Sequence, residues 1–428
     1  MNEDFLHYVW QYQLFSISSL QTTQKEDLIV LKTGTHNHNS GPDFLNTQLK
    51  IDNQIWAGNV EIHLKSSDWY VHNHETDKNY DAVILHVVWE DDVAVFMKNE
   101  KPLPVLELKD IVLKYALNNY RNLLNAKQRW ISCENEINSI DSFVLENWKE
   151  RLFFERLERK SNEMKFLLDE NKNDFEAVLF QLLAKNFGLK VNGEVFLGLA
   201  KSFDFSVLRK VRFNKEQLAS LMFGQAGFLD DNVQEEYYQQ LKNEYKYLQH
   251  KYNLKSISKN QFSFFRMRPP NFPTIRIAQL IALYHLNQNL FSKIMQIKTL
   301  KEFYLLFDVD VDLFWKTHYT FEKVSKKSSK KLTKSFIDLL LINTIIPLKF
   351  LYHKNRTEVE QNDFLEVIKK IKSEKNTIIS KFDELKITSK NAYESQALLE
   401  LKNNYCAKKR CLQCAIGVKL LNRNIVIS

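Results

Sequence analysis

The sequence predicts an α+β protein, with a mixed sheet and a few helices first and a mostly helical region after it. Two patterns predict this fold. Up to about residue 110, short apolar runs alternate with turn-forming Gly, Asn and Asp, as they do around strands. From Ile111 onward, apolar residues recur at helical spacing almost to the end of the chain. A length of 428 residues allows about three domains, and we expect an α/β domain at 1–135, a basic helical domain at 136–345 and a helical C-terminal region at 346–428.

The individual elements follow from the same patterns. Phe5 to Phe15 places aromatic and aliphatic residues at helical spacing, which predicts an amphipathic helix. Strands are expected at residues 28–31, 44–51, 54–64 and 82–89, with edge strands at 93–97 and 105–108. Asp52-Asn53 predicts the turn between the second and third of these strands. Long helices are expected at 143–168, 175–183, 235–252 and 275–285, the last of them capped by Thr274.

Charge is distributed unevenly along the chain. The net charge is +8, yet residues 1–110 hold 17 acidic residues against eight lysines and no arginine, which leaves −9 there and +17 on the remainder. An acidic segment suits a divalent cation and a basic one suits a phosphate backbone, so nucleic acid is an expected partner. Solvated lysine-rich helices would give the same asymmetry. Because the N-terminus is acidic and the longest apolar run is interrupted by polar residues, we expect no membrane association and a cytoplasmic location.

Metal-binding and acid–base side chains are concentrated between residues 36 and 86. Six of the eleven histidines lie there, namely His36, His38, His63, His72, His74 and His86. Asp43 precedes one predicted strand, and Glu61 and His63 lie two residues apart on the next, so the latter two face the same side. Such carboxylates suit Mg²⁺ or Mn²⁺, and an imidazole with a pKa near ~6.5 can act as a base. The alternatives are a turn-capping Asp43 and a solvated strand face for the other two.

The pattern of Pro42-Asp43 followed by Glu61-x-His63 resembles the PD-(D/E)xK nuclease superfamily. The resemblance implies a restriction-endonuclease-like sheet in which Asp43 and Glu61 hold Mg²⁺ or Mn²⁺. It also implies that the residue two positions after the glutamate activates water. Here that residue is His63 instead of the lysine typical of the superfamily, and Lys65 lies one step further along the same face.

The resemblance implies metal-dependent hydrolysis of phosphodiester bonds in DNA or RNA. The replacement of the lysine leaves a second hypothesis open: a non-catalytic nucleic-acid-binding or scaffold protein that kept the fold. The run His72-x-His74-x-x-Asp77 supplies a third. These residues could bind a second metal, bind phosphate or form a surface polar cluster, and as metal ligands they would favour a hydrolase of small substrates.

Cysteines form a second constellation near the C-terminus. Cys406, Cys411 and Cys414 follow one another at short spacing, and Cys133 is the only other cysteine. Thiolates in this pattern could hold zinc or an iron–sulfur cluster, and buried free thiols are the alternative. Some PD-(D/E)xK nucleases also carry one distant cysteine and three clustered near the chain end. In this chain, however, Cys133 follows the predicted catalytic strands and does not precede them.

Arginines surround a proline-rich turn in the helical region. Arg266, Arg268 and Arg276 flank it, and they could bind phosphates at the start of the following helix or pair with acidic residues.

Over its whole length the sequence resembles a bacterial family of proteins of unknown function with nearly this length. The segments that carry the resemblance are the N-terminal helix, Gly-Pro-Asp-Phe from Gly41, Gly-Asn-Val-Glu-Ile-His from Gly58, Arg-Pro-Pro-Asn-Phe-Pro from Arg268 and the terminal cysteines. This resemblance implies no activity, so function must be argued from the site.

Overall fold

The chain divides into two compact units that contain different architectures. The structure, a computed structural model, describes residues 2–37, 39–98, 100–124, 129–354 and 363–422. Unit 1 comprises Met1–Trp148, Glu384–Ile387 and Glu400–Ser428, and unit 2 comprises Lys149–Asp383 and Thr388–Leu399. Unit 1 contains a six-stranded mixed sheet, and unit 2 is built from helices. The predicted α+β class is confirmed.

The sheet of unit 1 is formed by residues 28–107. Its strands are β1 (Leu28–Lys32), β2 (Thr35–His36), β3 (Phe44–Ile51), β4 (Gln54–Lys65), β5 (Val83–Glu90) and β6 (Val105–Glu107). They lie in the order β1-β3-β4-β5-β6, with β2 paired to β3. The pairs among β1, β3 and β4 are antiparallel, whereas β5 runs parallel to β4 and β6 runs parallel to β5. Asp52 and Asn53 form the predicted turn between β3 and β4, and Asp52 adopts a left-handed φ of 49° there.

Unit 1 also contains α-helices. They are α1 (Glu3–Gln11), α2 (Asp68–Val71), α3 (Lys114–Leu124) and, near the C-terminus, α19 (Ala415–Leu421). The predicted N-terminal helix forms but ends at Gln11, because Gln13 adopts a left-handed φ of 50°. The apolar side of α1, including Phe5, Leu6 and Trp10, is fully buried. This packing places the polar residues at the edge of α1 near the sheet.

One predicted edge strand does not form. Residues 93–97 make only an isolated bridge between Phe96 and Pro102. Val95 instead packs in a small buried cluster with Trp69, Val83 and Leu103. The apolar character of this segment therefore reflects a loop that packs on the core, which residue pattern alone does not separate from a strand.

Among the described residues between 142 and 400, fifteen α-helices make up most of the chain. Their bounds are α4 (Ser142–Glu170), α5 (Phe175–Phe187), α6 (Leu189–Lys201), α7 (Phe205–Val211), α8 (Lys215–Gln225), α9 (Glu236–Tyr252), α10 (Pro273–Leu286), α11 (Leu290–Gln296), α12 (Leu300–Leu306), α13 (Leu313–Thr317), α14 (Lys334–Leu340), α15 (Ile346–Lys354), α16 (Asp363–Lys370), α17 (Thr377–Glu384) and α18 (Ala392–Glu400). The predicted cap of α10 is wrong: the helix begins at Pro273, and the Thr274 hydroxyl donates to the carbonyl of Tyr319.

The stretch Lys334–Lys354 is long and apolar enough, by length and composition alone, to cross a membrane. In the most apolar 18 residues of this stretch, 67% are buried inside the chain, as in the core helix of a globular domain. Its Lys349 ammonium donates to the carbonyls of Ile294, Met295 and Ile297, so this buried charge has polar partners inside unit 2.

Candidate metal centre

Two adjacent strands bring a carboxylate and two imidazoles to one face of the sheet. Glu61 and His63 lie two residues apart on β4 and therefore point to the same side. His86 is the register partner of Glu61 on the parallel strand β5. The three side chains are 5%, 2% and 0% exposed, so this polar group is buried.

The segment after β4 adds two further imidazoles. α2 turns the chain back and buries its own Trp69 side chain. His72 follows at the end of the helix. Asn73 then adopts a left-handed φ of 60°, a conformation that asparagine tolerates better than most residues. His74 comes next and stacks on Tyr80, with ring centroids 3.7 Å apart. His74 is buried, whereas His72 is exposed and forms the open side of the group.

Potential ligand atoms of Glu61 and three histidines lie in close pairs. Glu61 Oε1 lies 3.4 Å from His63 Nε2 and 3.3 Å from His74 Nε2. His72 Nδ1 lies 3.1 Å from His63 Nε2, and ligand atoms of the three histidines lie within 4.8 Å of one another. Ligands that each stand ~2.1 Å from one ion are separated by about 3.0 Å in octahedral and about 3.4 Å in tetrahedral geometry. The three separations of 3.1–3.4 Å fall in this range, while the set of ligand atoms that all lie within 4.8 Å of one another comprises the three histidines without Glu61.

One ligand atom of the group lacks the hydrogen bond expected in an ordinary buried polar cluster. In the described part of the chain, His74 Nε2 has no hydrogen-bond partner although Glu61 Oε1 is close by. Buried polar atoms in proteins nearly always have such a partner. A cation bound between the imidazole and carboxylate lone pairs would satisfy both atoms.

Burial favours the neutral, metal-binding form of the three buried imidazoles, His63, His74 and His86. It lowers the pKa of His63 to about 3, and it also lowers the pKa of His74 and of His86. Burial and the neighbouring charge of Asp43 raise the pKa of Glu61 to about 9. Without a cation, the site thus disfavours the ionised carboxylate, which is the state that a bound metal ion would stabilise.

A second layer of residues orients these side chains. His86 Nε2 lies 2.9 Å from His63 Nδ1, which directs His63 Nε2 towards the other ligand atoms. The Asp43 backbone N–H donates to Glu61 Oε2 at 3.1 Å, and the Ile62 N–H donates to Asp43 Oδ2 at 2.9 Å. His7, on α1, places Nε2 at 3.2 Å from the same Asp43 oxygen.

The structure brings together most of the predicted residues but separates two of them. Asp43, Glu61, His63, His72 and His74 form one group, although the sequence suggested two separate sites. Lys65 is exposed and lies 3.7 Å from Asp92 instead. Asp77 is also exposed, and its carboxylate caps a short 3₁₀ turn by accepting from the Asn79 N–H at 2.9 Å. His38 lies outside the described residues.

The three arginines of the helical region differ in accessibility. Arg266 and Arg268 are exposed, so their predicted phosphate contacts stay a prediction. Arg276 is only 7% exposed and donates to Asn271 and Gln279 within unit 2. Its guanidinium also lies over the Phe336 ring, 3.8 Å from the centroid. This placement corrects the expectation for Arg276, because the side chain holds the proline turn against its own helix and does not face solvent.

Two residues near the site were missed from the sequence. His7 lies on α1, which the sequence pattern describes only by its apolar side. The available signal was that His7 follows Glu3 by four residues, so both lie on the polar side of the helix. Tyr80 gave no signal, because its contact with His74 depends on the path of the loop between β4 and β5.

Comparison with known proteins gives one match. A family model described as "Protein of unknown function (DUF2851)" matches residues 3–377. The matched range includes the whole candidate metal centre and Cys133, and it ends before the other three cysteines. No curated protein and no solved structure matches the chain.

Proposed function

Because the chain belongs to the DUF2851 family, whose function is unknown, its activity must be argued from the site, and we propose that it is a metal-dependent phosphodiester hydrolase acting on DNA or RNA. The observation that carries this proposal is the convergence of Glu61 Oε1 with the imidazole nitrogens of His63 and His74 at 3.3–3.4 Å. His72 completes the ligand set from the exposed side.

The ligand chemistry favours a first-row transition ion. Imidazole suits zinc, iron and related ions, whereas magnesium prefers carboxylates, carbonyls and water. A set of three imidazoles and one carboxylate therefore supports Zn²⁺ over Mg²⁺, and its carboxylate also suits Mn²⁺. Such an ion lowers the pKa of bound water and polarises a phosphoryl oxygen.

The residues beside the ligands are suited to proton transfer and positioning. Burial lowers the pKa of His7, but the hydrogen-bonding and charge of Asp43 outweigh this effect and leave it raised. The raised pKa suits His7 to deliver a proton to the leaving oxygen of a phosphodiester. Asp43 holds the His7 imidazole and, through its own backbone N–H, the Glu61 carboxylate.

The choice of nucleic acid as substrate is supported by charge. The chain beyond residue 110 carries +17, which would attract a polyanion, whereas the first 110 residues carry −9. A bound cation would offset part of that negative charge where the phosphate must approach.

A hydrolase of small substrates is the second candidate, and the three-histidine ligand set favours it. Zinc held by three imidazoles and a water is a known arrangement for water activation in enzymes with small substrates. The exposed His72 would leave room for such a substrate.

Metal binding and hydrolysis by the purified full chain test the proposal. After treatment with a chelator, the chain should bind about one Mn²⁺ or Zn²⁺ ion in calorimetry, and the loaded protein should cleave labelled DNA or RNA. Glu61→Gln and His74→Ala should lose both properties. His7→Ala should keep metal affinity but lose turnover, and His250→Ala, at an exposed position on α9, is the control.

The outcomes separate the candidates. Cleavage of a small chromogenic phosphodiester without cleavage of nucleic acid would favour the second candidate. Metal binding without hydrolysis of either substrate would overturn the proposed activity, and absence of metal binding would overturn the metal centre itself.

A further inference from the structure

All four cysteines of the chain line one pocket in unit 1. Cys133 follows α3, and the other three come from the C-terminal segment, yet all four side chains line the same cavity. None of them forms a disulfide bond. Cys133, Cys411 and Cys414 also act electrostatically on Cys406, which places the four thiols close together. Convergence of every cysteine from two distant segments points to a shared ligand.

The spacing of the sulfurs is too wide for a single zinc ion. Four thiolates around one tetrahedral Zn²⁺ stand about 3.8 Å apart, because each Zn–S bond is about 2.3 Å. Among the described residues, which include all four cysteines, no three of these sulfurs lie within 4.8 Å of one another. In an iron–sulfur cluster the thiolates bind different iron atoms, so the cluster's own iron and sulfide separate them more widely.

The surroundings of the pocket supply the interactions that stabilise buried thiolates. The backbone N–H groups of Ile416 and Gly417 hydrogen-bond to the sulfur of Cys414. The Ser132 hydroxyl hydrogen-bonds to the sulfur of Cys411. Hydrogen bonds to cluster thiolates are among the means by which proteins set the properties of such centres.

Gly417 permits the close packing of the cysteine segment. A Cβ atom at this position would stand 2.1 Å from the carbonyl oxygen of Cys411. Only glycine therefore allows the start of α19 to lie against the turn that carries Cys411.

Basic side chains lie next to the thiols. Burial raises the pKa of Cys406 and of Cys411, and the positive charges of Lys402 and Lys409 oppose this effect. Arg410 lines the same pocket. These cations would offset the negative charge of a cluster held by four thiolates.

We propose that Cys133, Cys406, Cys411 and Cys414 bind an iron–sulfur cluster that fastens the C-terminal segment to the segment after α3. This site is separate from the metal centre on β4 and does not depend on the proposed hydrolase activity.

The test is the iron and acid-labile sulfide content of the full chain, purified without oxygen. We expect equal amounts of iron and sulfide, about two or four of each per chain, with visible absorption that is lost on oxidation. Cys414→Ser should lose both. Asn403→Ala changes an exposed residue three positions before Cys406 and should keep them.

Further measurements distinguish loss of the cluster from loss of folding and from the β4 metal centre. If Cys414→Ser does not fold, wild-type chain stripped of metal should recover absorption after reconstitution with iron and sulfide. Glu61→Gln should retain the full iron and sulfide content, which distinguishes this site from the β4 centre. Folded wild-type chain that holds one zinc ion without sulfide, or that takes up no iron on reconstitution, would overturn the proposal.

Discussion

Glu61→Gln should stabilise the metal-free protein even though it removes a metal ligand. The Glu61 carboxyl is 5% exposed, and its pKa is raised to about 9 from an ordinary value of 4.5, first by burial and then by Asp43. At pH 7 the carboxyl is ionised in the unfolded chain but protonated in the folded one. The 2.5 pH units between pH 7 and 4.5 correspond to a penalty of about 3 kcal/mol on folding. Glutamine keeps the shape and removes this penalty.

The pH dependence has a defined sign. Because the folded pKa lies above the unfolded one, the penalty is absent below pH 4.5, grows as the pH rises and is complete near pH 9. The metal-free wild type should therefore lose stability across this window relative to Glu61→Gln. Urea unfolding in the presence of a chelator, at several pH values between about 5 and 9, measures the difference.

The same pair of proteins should respond in opposite ways to metal. Saturating Mn²⁺ or Zn²⁺ should stabilise the wild type by mass action and leave Glu61→Gln unchanged. Glu90→Gln, a half-exposed carboxylate on β5 that pairs with Lys109, is the matched control and should behave as the wild type. A Glu61→Gln protein that is no more stable than wild type in chelator, or that still gains stability from metal, would refute this account of the site.

Three further predictions concern other parts of the molecule. His86→Phe should weaken metal affinity about 10–100-fold, because it releases His63. The control is His285→Phe, which removes a histidine hydrogen bond to a backbone carbonyl in unit 2 and should leave metal affinity unchanged. Calorimetry measures both affinities. Gly417→Ala should lower iron content and the melting temperature together, because its Cβ would clash with the Cys411 carbonyl; unchanged iron would contradict this. Charge reversal at Arg266 and Arg268 should reduce the salt dependence of nucleic-acid binding by about 0.9 in log–log slope per lost phosphate contact, and an unchanged slope would exclude these contacts.

Local patterns were sufficient for the main elements of the sheet. Alternation in β4 and the Asp52-Asn53 turn predicted the hairpin because both depend on neighbouring residues only. Residues 93–97 were misassigned because Val95 packs against Trp69 and Leu103, which are distant in sequence. The cap of α10 was wrong because the Thr274 hydroxyl bonds to Tyr319, forty-five residues away.

The sequence predicted the residues of the candidate site but not that they converge at a single site. Spacing on β4 placed Glu61 and His63 on one face, and this needed no tertiary information. The position of His72 and His74 beside them depends on the turn at Asn73, where asparagine permits the left-handed conformation but does not require it. His7 reaches Asp43 only because α1 packs on the sheet, so it could not be assigned from local pattern.

The central claim is a metal ion held by Glu61, His63, His72 and His74, and anomalous X-ray diffraction tests it most directly. Crystals of the full chain grown with Mn²⁺ or Zn²⁺ should show one anomalous peak at about 2.1 Å from Glu61 Oε1 and from the three facing imidazole nitrogens. Data on both sides of the metal absorption edge identify the element. The same experiment with Glu61→Gln should show no peak there. An empty site in wild-type crystals, or a peak at which none of these four side chains is a ligand, would contradict the account.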